Sequence, residues 1–322
     1  MKNLKPFLTI TAGACTLVSS AFAVVIEIDT SYVVDVGNAN DSTTGGLYGA
    51  VNYGYYIGTY EVTNSQYVSF LNSTAATNAH GLYNTDMSSS TDGGIEQSGS
   101  TGTFAYSVKP GFGNKAVNYV NYVSFWDAVR FTNYLTTGGT ESGVYNLGEV
   151  TNSTNKTITR DAKQWNAGGV AIASEDEWYK AAYYMGGSTN AGYWPHAHQS
   201  DLITANDANY SLNVGTLTDV GNYDDAPSYY GTYDQGGNVW EFNDGIVGST
   251  VGSLRGGAFG SKGTRLLSSF RSRLNLSSEH SNYGFRVSSL TPIIPEPSTY
   301  AVIFSSLALA VAIMRRKGRR SL

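Results

Sequence analysis

From residue 190 to residue 290 the chain shows no helical period, only short β-branched runs divided by glycines. This constrains the fold more than any other feature. A long stretch must be ordered as turns and short strands, with its backbone polar groups still satisfied. Disulfides cannot hold it, because the only cysteine, Cys15, lies in the N-terminal apolar segment. The 37 glycines and 24 tyrosines supply turn positions and aromatic packing, and 41% hydrophobic residues are enough to bury a core. A bound metal is a further constraint open to such a chain.

Both ends read as processing signals. Lys2 and Lys5 precede an apolar stretch from Phe7 to Val18, and Ala21-Phe22-Ala23 is a small-x-small cleavage site. Residues 1–23 therefore read as a signal peptide, with Val24 as the mature start. A lipoprotein reading would lipidate Cys15, but Ala12-Gly13-Ala14 lacks the usual leucine. At the other end Pro295-Glu296-Pro297 precedes an apolar run from Tyr300 to Met314, followed by Arg315, Arg316, Lys317, Arg319 and Arg320. The run is short for a span but could cross with help from its flanks, leaving the basic cluster cytoplasmic. This order resembles the PEP-CTERM sorting signal of Gram-negative bacteria. The resemblance implies an exosortase partner, membrane contact only through the C-terminal helix, and a final place in the cell envelope or outside it. An ordinary tail anchor is the alternative. Residues 291–322 are assigned to this segment.

Between the ends the body is acidic. Removing Lys2, Lys5 and the five tail residues from 20 basic residues leaves 13, and removing Glu296 from 25 acidic residues leaves 24, a net charge near −11. Nucleic-acid binding needs an excess of lysine and arginine to neutralise phosphate and is not expected.

Residues 24–50 read as a strand segment. Val51 to Tyr60 alternates, with Tyr53, Tyr55 and Ile57 on one face. Tyr67, Phe70 and Leu71 take helical spacing, with Asn64 as N-cap. The Ser, Thr and Gly-rich residues 73–116 read as a surface insertion. Ser124 with Asp127, and Ser174 with Glu177, have capping-box spacing and open a second and a third helix.

Several segments carry a resemblance. Tyr60-Glu61-Val62-Thr63-Asn64-Ser65-Gln66-Tyr67, Val117 to Val123, Ser174 to Ala182, Tyr233-Asp234-Gln235-Gly236-Gly237-Asn238-Val239-Trp240-Glu241-Phe242, Arg255-Gly256-Gly257 and Gly284-Phe285-Arg286 occur in order. Together they resemble the formylglycine-generating, sulfatase-modifying factor family. The resemblance implies a domain over residues 51–290. Its fold would be α+β, the family's variant of the C-type lectin fold, loop-rich with short strands and about three helices.

Gly236 and Gly237 let the backbone curl, and Asp234 and Glu241 put carboxylates at either end, a mixture of oxygens that suits calcium. The plain alternative is a tight glycine turn. The resemblance implies a calcium loop held by Asp234 and Glu241 side chains and by main-chain oxygens near Gln235, Gly237 and Val239. It also implies a second site near Asn209, Tyr210 and Asp219. The family's redox cysteines match approximately Ser261 and Leu266. Thiolates select Cu(I), a serine hydroxyl is a poor copper ligand and leucine is none, so copper and thiol oxidation are not expected.

Four arginines, Arg265, Arg271, Arg273 and Arg286, fall close in sequence. Internal pairing is one reading; a pocket for an acidic ligand lined by Arg265, Arg273 and Arg286 is the other. His196 and His198 lack further evident ligands and read as loop residues, with His80 and His280 isolated. No phosphate loop, Ser-His-Asp elbow or Cys-His pair is visible. The expected function is an exported, non-catalytic domain that binds a glycan, peptide or protein, or builds extracellular matrix. The alternative is an oxidase of the family's kind, or a divergent enzyme, acting on a protein substrate.

Overall fold

The computed structural model describes residues 26–110, 112, 122–148, 158–187, 191–247, 251–279 and 282–293. The signal peptide, the Pro-Glu-Pro segment with its apolar run, most of the Val117–Val123 motif and His280 lie outside these residues. Among the described residues no helix is long and apolar enough to cross a membrane.

In chain order the elements are β1 (Thr30–Val33), β2 (Tyr55–Gly58), α1 (Asn64–Thr74), α2 (Asp86–Ser89), β3 (Ile95–Ser98), β4 (Ala105–Val108), α3 (Phe125–Thr137), α4 (Ala162–Asn166), β5 (Ala171–Ile172), α5 (Glu175–Tyr183), β6 (Trp240–Val247), β7 (Val251–Arg255), β8 (Ser272–Asn275), β9 (Tyr283–Phe285) and β10 (Val287–Ser289). The architecture is α+β and loop-rich.

Three sheets form. One has the order β1-β2-β10-β5, a second is the β3–β4 hairpin, and a third has the order β8-β7-β6-β9. β1 pairs antiparallel with β2, so the segment before residue 51 belongs to the same packed unit as the residues after it. β6 and β9 run parallel, with Glu241 opposite Gly284 and Phe242 opposite Phe285. β9 ends at Phe285 and β10 starts at Val287, so Arg286 stands where the chain leaves one sheet and enters another. That position aims its side chain between them.

The helix starts follow from local chemistry. Ser124 and Asp127 close a capping box on α3, and Ser174 and Glu177 close one on α5. For α1 the cap is Thr63, not Asn64: its hydroxyl accepts from Gln66 N and the Gln66 side chain accepts from Thr63 N. Each such cap stabilises its helix by about 1 kcal/mol. Gly138 ends α3 at φ 77°, a left-handed conformation that a Cβ would strain.

Two further sequence expectations are corrected. Tyr55 and Ile57 point into the core, but Tyr53 is 38% exposed, because the strand begins only at Tyr55. Residues 73–116 are not merely a surface insertion: Leu82, Tyr83, Met87, Ile95 and Tyr106 bury themselves in the main core. Their apolar residues are too sparse to show a period, yet they cover α1.

Aromatic contacts do what disulfides would do elsewhere. Phe131 of α3 meets Phe70 at 5.4 Å, Tyr67 at 6.1 Å and Phe285 at 5.5 Å, linking two helices to β9. A second cluster gathers Trp178, Tyr179 and Tyr183 of α5 against Tyr55 and Ile57 of β2.

Candidate functional site

Arg286 is fully buried and every donor of its guanidinium is used. Nε donates to Glu241 Oε2 and Nη2 to Glu241 Oε1, each at 2.6 Å. Nη1 donates to Gly58 O at 3.0 Å and Thr59 O at 3.2 Å, and Nη2 to Tyr233 O at 3.0 Å. The fork therefore ties β6, β2 and the loop before β6 to the β9–β10 junction. Charge-assisted bidentate pairs of this kind are the strong ones. Trp178 Nε1 of α5 is the third donor to the Glu241 carboxylate, reaching Oε2 at 2.8 Å.

Glu61 completes the cluster. Its Oε1 accepts from Asn238 Nδ2 at 3.2 Å, while Oε2 is buried without a hydrogen bond, 3.9 Å from Arg286 Nη2. Burial first, then the charges of Asp234 and Glu241, push the Glu61 carboxyl well above the usual range. Burial likewise raises Asp234 to about 6, against the opposing pull of its Gly221 N–H bond and of Arg286. One arginine thus faces three carboxyl groups, and burial keeps the extra negative charge protonated more readily than in water.

The loop that delivers Asp234 and Glu241 needs unusual backbone. Asp234, Gly237 and Asn238 all have positive φ, at 59°, 95° and 58°. A side chain at Gly237 would strike the Asn209 carbonyl. Gly237 N donates to Gly256 O, Asn238 N to Asn209 O and Phe259 N to Asn238 O, each at 2.9 Å. Asn238 Oδ1 accepts from Thr218 N at 3.2 Å. The loop is stitched to three others, by two amides of its own and by two that donate to Asn238.

Against this geometry the expected calcium set fits only in part. Both Glu241 oxygens face Arg286 and Trp178. The Gln235 side chain turns inward, its Nε2 donating to Trp178 O at 3.0 Å and its Oε1 accepting from Thr232. Among the described residues no group of three His, Cys, Asp or Glu side chains converges as a metal site. Asn209 does fit: its Oδ1 is buried and receives no donor. A cation at this loop would be held by Asn209 and neighbouring oxygens, with Glu241 serving Arg286. The Tyr210 hydroxyl instead donates to Ile203 O at 3.3 Å, and Asp219 sits in a turn, its carbonyl accepting from Asn222 N.

The arginines expected to cluster are dispersed. Arg286 is internal, so it cannot line a ligand pocket. Arg271 pairs with both oxygens of Glu175, at 2.6 and 2.7 Å, and Glu175 also holds buried Arg255 at 2.9 Å. Arg265 is exposed above the Phe270 ring, and Arg273 is exposed on edge strand β8. His196 and His198 do meet, with rings 5.9 Å apart, beside Asp207 and Asp234 around a cavity of about 10 Å³, the size of one water. Burial, helped by His198, holds His196 below its ordinary value.

The family model described as the sulfatase-modifying factor enzyme 1-like domain matches residues 36–289. The chain belongs to this family. Of solved structures, CarF superposes with a TM-score of 0.54 at 20% identity, covering 82% of this chain and 99% of its own. Variable protein 1 of Treponema denticola gives 0.52 at 19%, covering 81% and 95%. At these identities the likeness shows the fold alone. No curated protein sequence matches the chain.

At Ser261 and Leu266, the positions expected from the sequence to stand near the family's cysteines, the side chains serve structure. Ser261 Oγ accepts from Ala258 N at 3.0 Å, closing the turn after Arg255-Gly256-Gly257. Leu266 is fully buried against Gly257 and Gly236. Sequence reasoning missed Glu61 and Trp178 as partners of the Glu241–Arg286 pair. Both stand within segments that carry the family resemblance, but nothing local marks them. It also missed Arg160, which holds Glu177 and Asp244 at 2.8 and 2.9 Å and stacks on Trp165.

Proposed function

We propose that this family member is exported and binds a ligand rather than oxidising one. The observation that carries the reading is the pair Ser261 and Leu266: one hydroxyl is spent on a turn amide and the other position is a sealed hydrocarbon. Two-thiol chemistry needs thiolates that can be alkylated, oxidised or metallated, and the sequence after Cys15 contains none. The surrounding frame is kept, since Glu241 and Arg286 lock loops and sheets without any thiol. A rigid frame presenting variable loops suits recognition of a glycan, peptide or protein at the cell surface.

The two ends support export through a signal peptide and sorting by an exosortase to the envelope or exterior of a Gram-negative cell. The acidic body suits a protein kept apart from its neighbours by self-repulsion. Calcium is proposed as a structural ion at Asn209 rather than as a catalytic one. Purified residues 24–294 should take up no oxygen above background with a cysteine-containing peptide and Cu(I). Turnover of the peptide would overturn the reading, and a glycan and peptide array identifies the ligand class.

A further inference from the structure

From Trp178, at the edge of the Arg286 cluster, seven aromatic rings run from the core to the surface, with Tyr48 branching off Tyr179 at 6.0 Å. Trp178 lies 5.8 Å from Tyr183, Tyr183 is 5.0 Å from Tyr179, and Tyr179 is 5.4 Å from Tyr193. Tyr193 is 5.2 Å from Tyr184, Tyr184 is 6.4 Å from Tyr230, and Tyr230 is 5.1 Å from Tyr229. Trp178 is fully buried and Tyr229 is 45% exposed. These spacings are ordinary for packed rings and by themselves mean only stability.

The hydrogen bonds add something that packing does not require. Trp178 Nε1 donates to Glu241 at 2.8 Å, the Tyr179 hydroxyl donates to Asp41 Oδ2 at 2.6 Å, and the Tyr230 hydroxyl donates to Asp35 Oδ2 at 3.0 Å. Removing an electron from an indole or phenol makes its N–H or O–H strongly acidic. A carboxylate already in place takes that proton and lowers the cost of the oxidation. The third ring, Tyr179, and the sixth, Tyr230, each have such a base, while Glu241, kept charged by Arg286, offsets the positive charge of an oxidised Trp178. No thiol competes, because the body lacks cysteine.

The geometry points to a one-electron relay, in which Tyr229 exchanges electrons with an oxidant in solution and the oxidising equivalent moves inward to Tyr179 and Trp178. The oxidant is a radical or a high-potential metal complex, reduced by one electron. Tyr229 is refilled by an electron from Tyr230, whose phenolic proton passes to Asp35. As Tyr184 refills Tyr230, Asp35 returns the proton; the vacancy passes through Tyr184 and Tyr193 to Tyr179, whose proton goes to Asp41, and, with that proton returned, through Tyr183 to Trp178, where Glu241 offsets the positive charge. A reductant at the surface reverses each step. Lys180 Nζ lies 5.8 Å from the Tyr184 ring and Arg255 Cζ 5.1 Å from the Tyr179 ring, so a positive charge is disfavoured on both; Tyr179 sheds its proton to Asp41 and holds the vacancy, while Tyr184, without an acceptor, passes it on.

Tyr184 offers a clean test. Its hydroxyl is buried and donates to no acceptor, so Tyr184→Phe removes the redox group without removing a donated hydrogen bond. The full chain carrying Cys15→Ser and Asp225→Cys is labelled at residue 225 with a ruthenium tris(bipyridine) photo-oxidant, four residues from Tyr229, and flashed at dilution with a sacrificial electron acceptor. Oxidised rings are then mapped by peptide mass spectrometry, with a melt to verify folding. Oxidation is expected at Tyr179 and Trp178, and in Tyr184→Phe it should be confined to Tyr229 and Tyr230. Tyr32→Phe, off the file, should leave the pattern unchanged. Inner oxidation that survives Tyr184→Phe, or none in the labelled parent, overturns the relay.

Discussion

Replacing Glu241 with glutamine keeps the volume of the side chain and removes its charge. Arg286 would then keep its bonds to Gly58 O, Thr59 O and Tyr233 O but lose the bidentate partner, with an amide NH2 facing its own donors. Leaving a buried charge uncompensated costs about 3–5 kcal/mol. At roughly 2–4 °C per kcal/mol for a domain near this size, the melting temperature should fall by about 6–20 °C. Glu61 sets the lower end. Its carboxyl is held well above the usual range partly by the Glu241 charge, so neutralising Glu241 lets Glu61 ionise 3.9 Å from Arg286 and recover part of the loss. Glu61→Gln alone should therefore be mild, since Oε1 can still accept from Asn238. The double variant should be worse than the sum of the singles by about 1 kcal/mol or more, as expected for residues in one network. Thermal and urea melts of the four proteins at neutral pH measure this. Glu241→Gln no more damaging than Glu61→Gln, or strict additivity, would refute the account.

Gly237→Ala should destabilise by about 2 kcal/mol or more, since it forces a Cβ onto the Asn209 carbonyl at a positive φ; neighbouring Gly236→Ala meets only ordinary contacts and should change the urea midpoint little. Burial, with Glu279 adding to it, raises Asp127 to about 7 in the folded protein from 3.8. A raised acid contributes stability below its unfolded value and loses it as pH rises through the folded one, so Asp127→Asn should flatten part of the decline in melting temperature between about pH 4 and pH 7. A variant that declines as steeply as the parent would contradict this. Leu266→Ala should cost about 2–5 kcal/mol by opening a cavity beside Gly257, readable by the same melts, whereas exposed Arg273→Ala should stay within about 0.5 kcal/mol.

Local sequence is a good guide wherever a structure is closed by residues three or four apart. The boxes of Ser124 with Asp127 and Ser174 with Glu177 are complete within one helical turn, so pattern alone identifies them. Thr63 with Gln66 has the same spacing, so the α1 cap too is legible in the sequence, and Asn64 is one residue late. Within the expected calcium set, Glu241 is drawn elsewhere for a different reason. A carboxylate a few residues beyond a glycine pair looks like a loop ligand until a partner 45 residues later claims it. Arg286 in turn looks like one member of a basic cluster, because sequence proximity to Arg273 says nothing of the sheet junction between them.

By itself the sequence determined the family, the α+β character, the principal helix starts, and the absence of thiols from the body. These depend on residue identity and on contacts within a turn or two. Tertiary structure decided what each charged residue does. Arg286 became a clamp because β9 lies parallel to β6 and β10 inserts beside β2, which brings Glu241, Gly58 and Tyr233 to one guanidinium. Glu61 became a carboxyl reluctant to ionise because the same convergence excludes water. Local turn bonds shape a glycine-rich stretch without helical period, but long-range pairs set its place in the fold, and long-range pairs are what a linear pattern does not display.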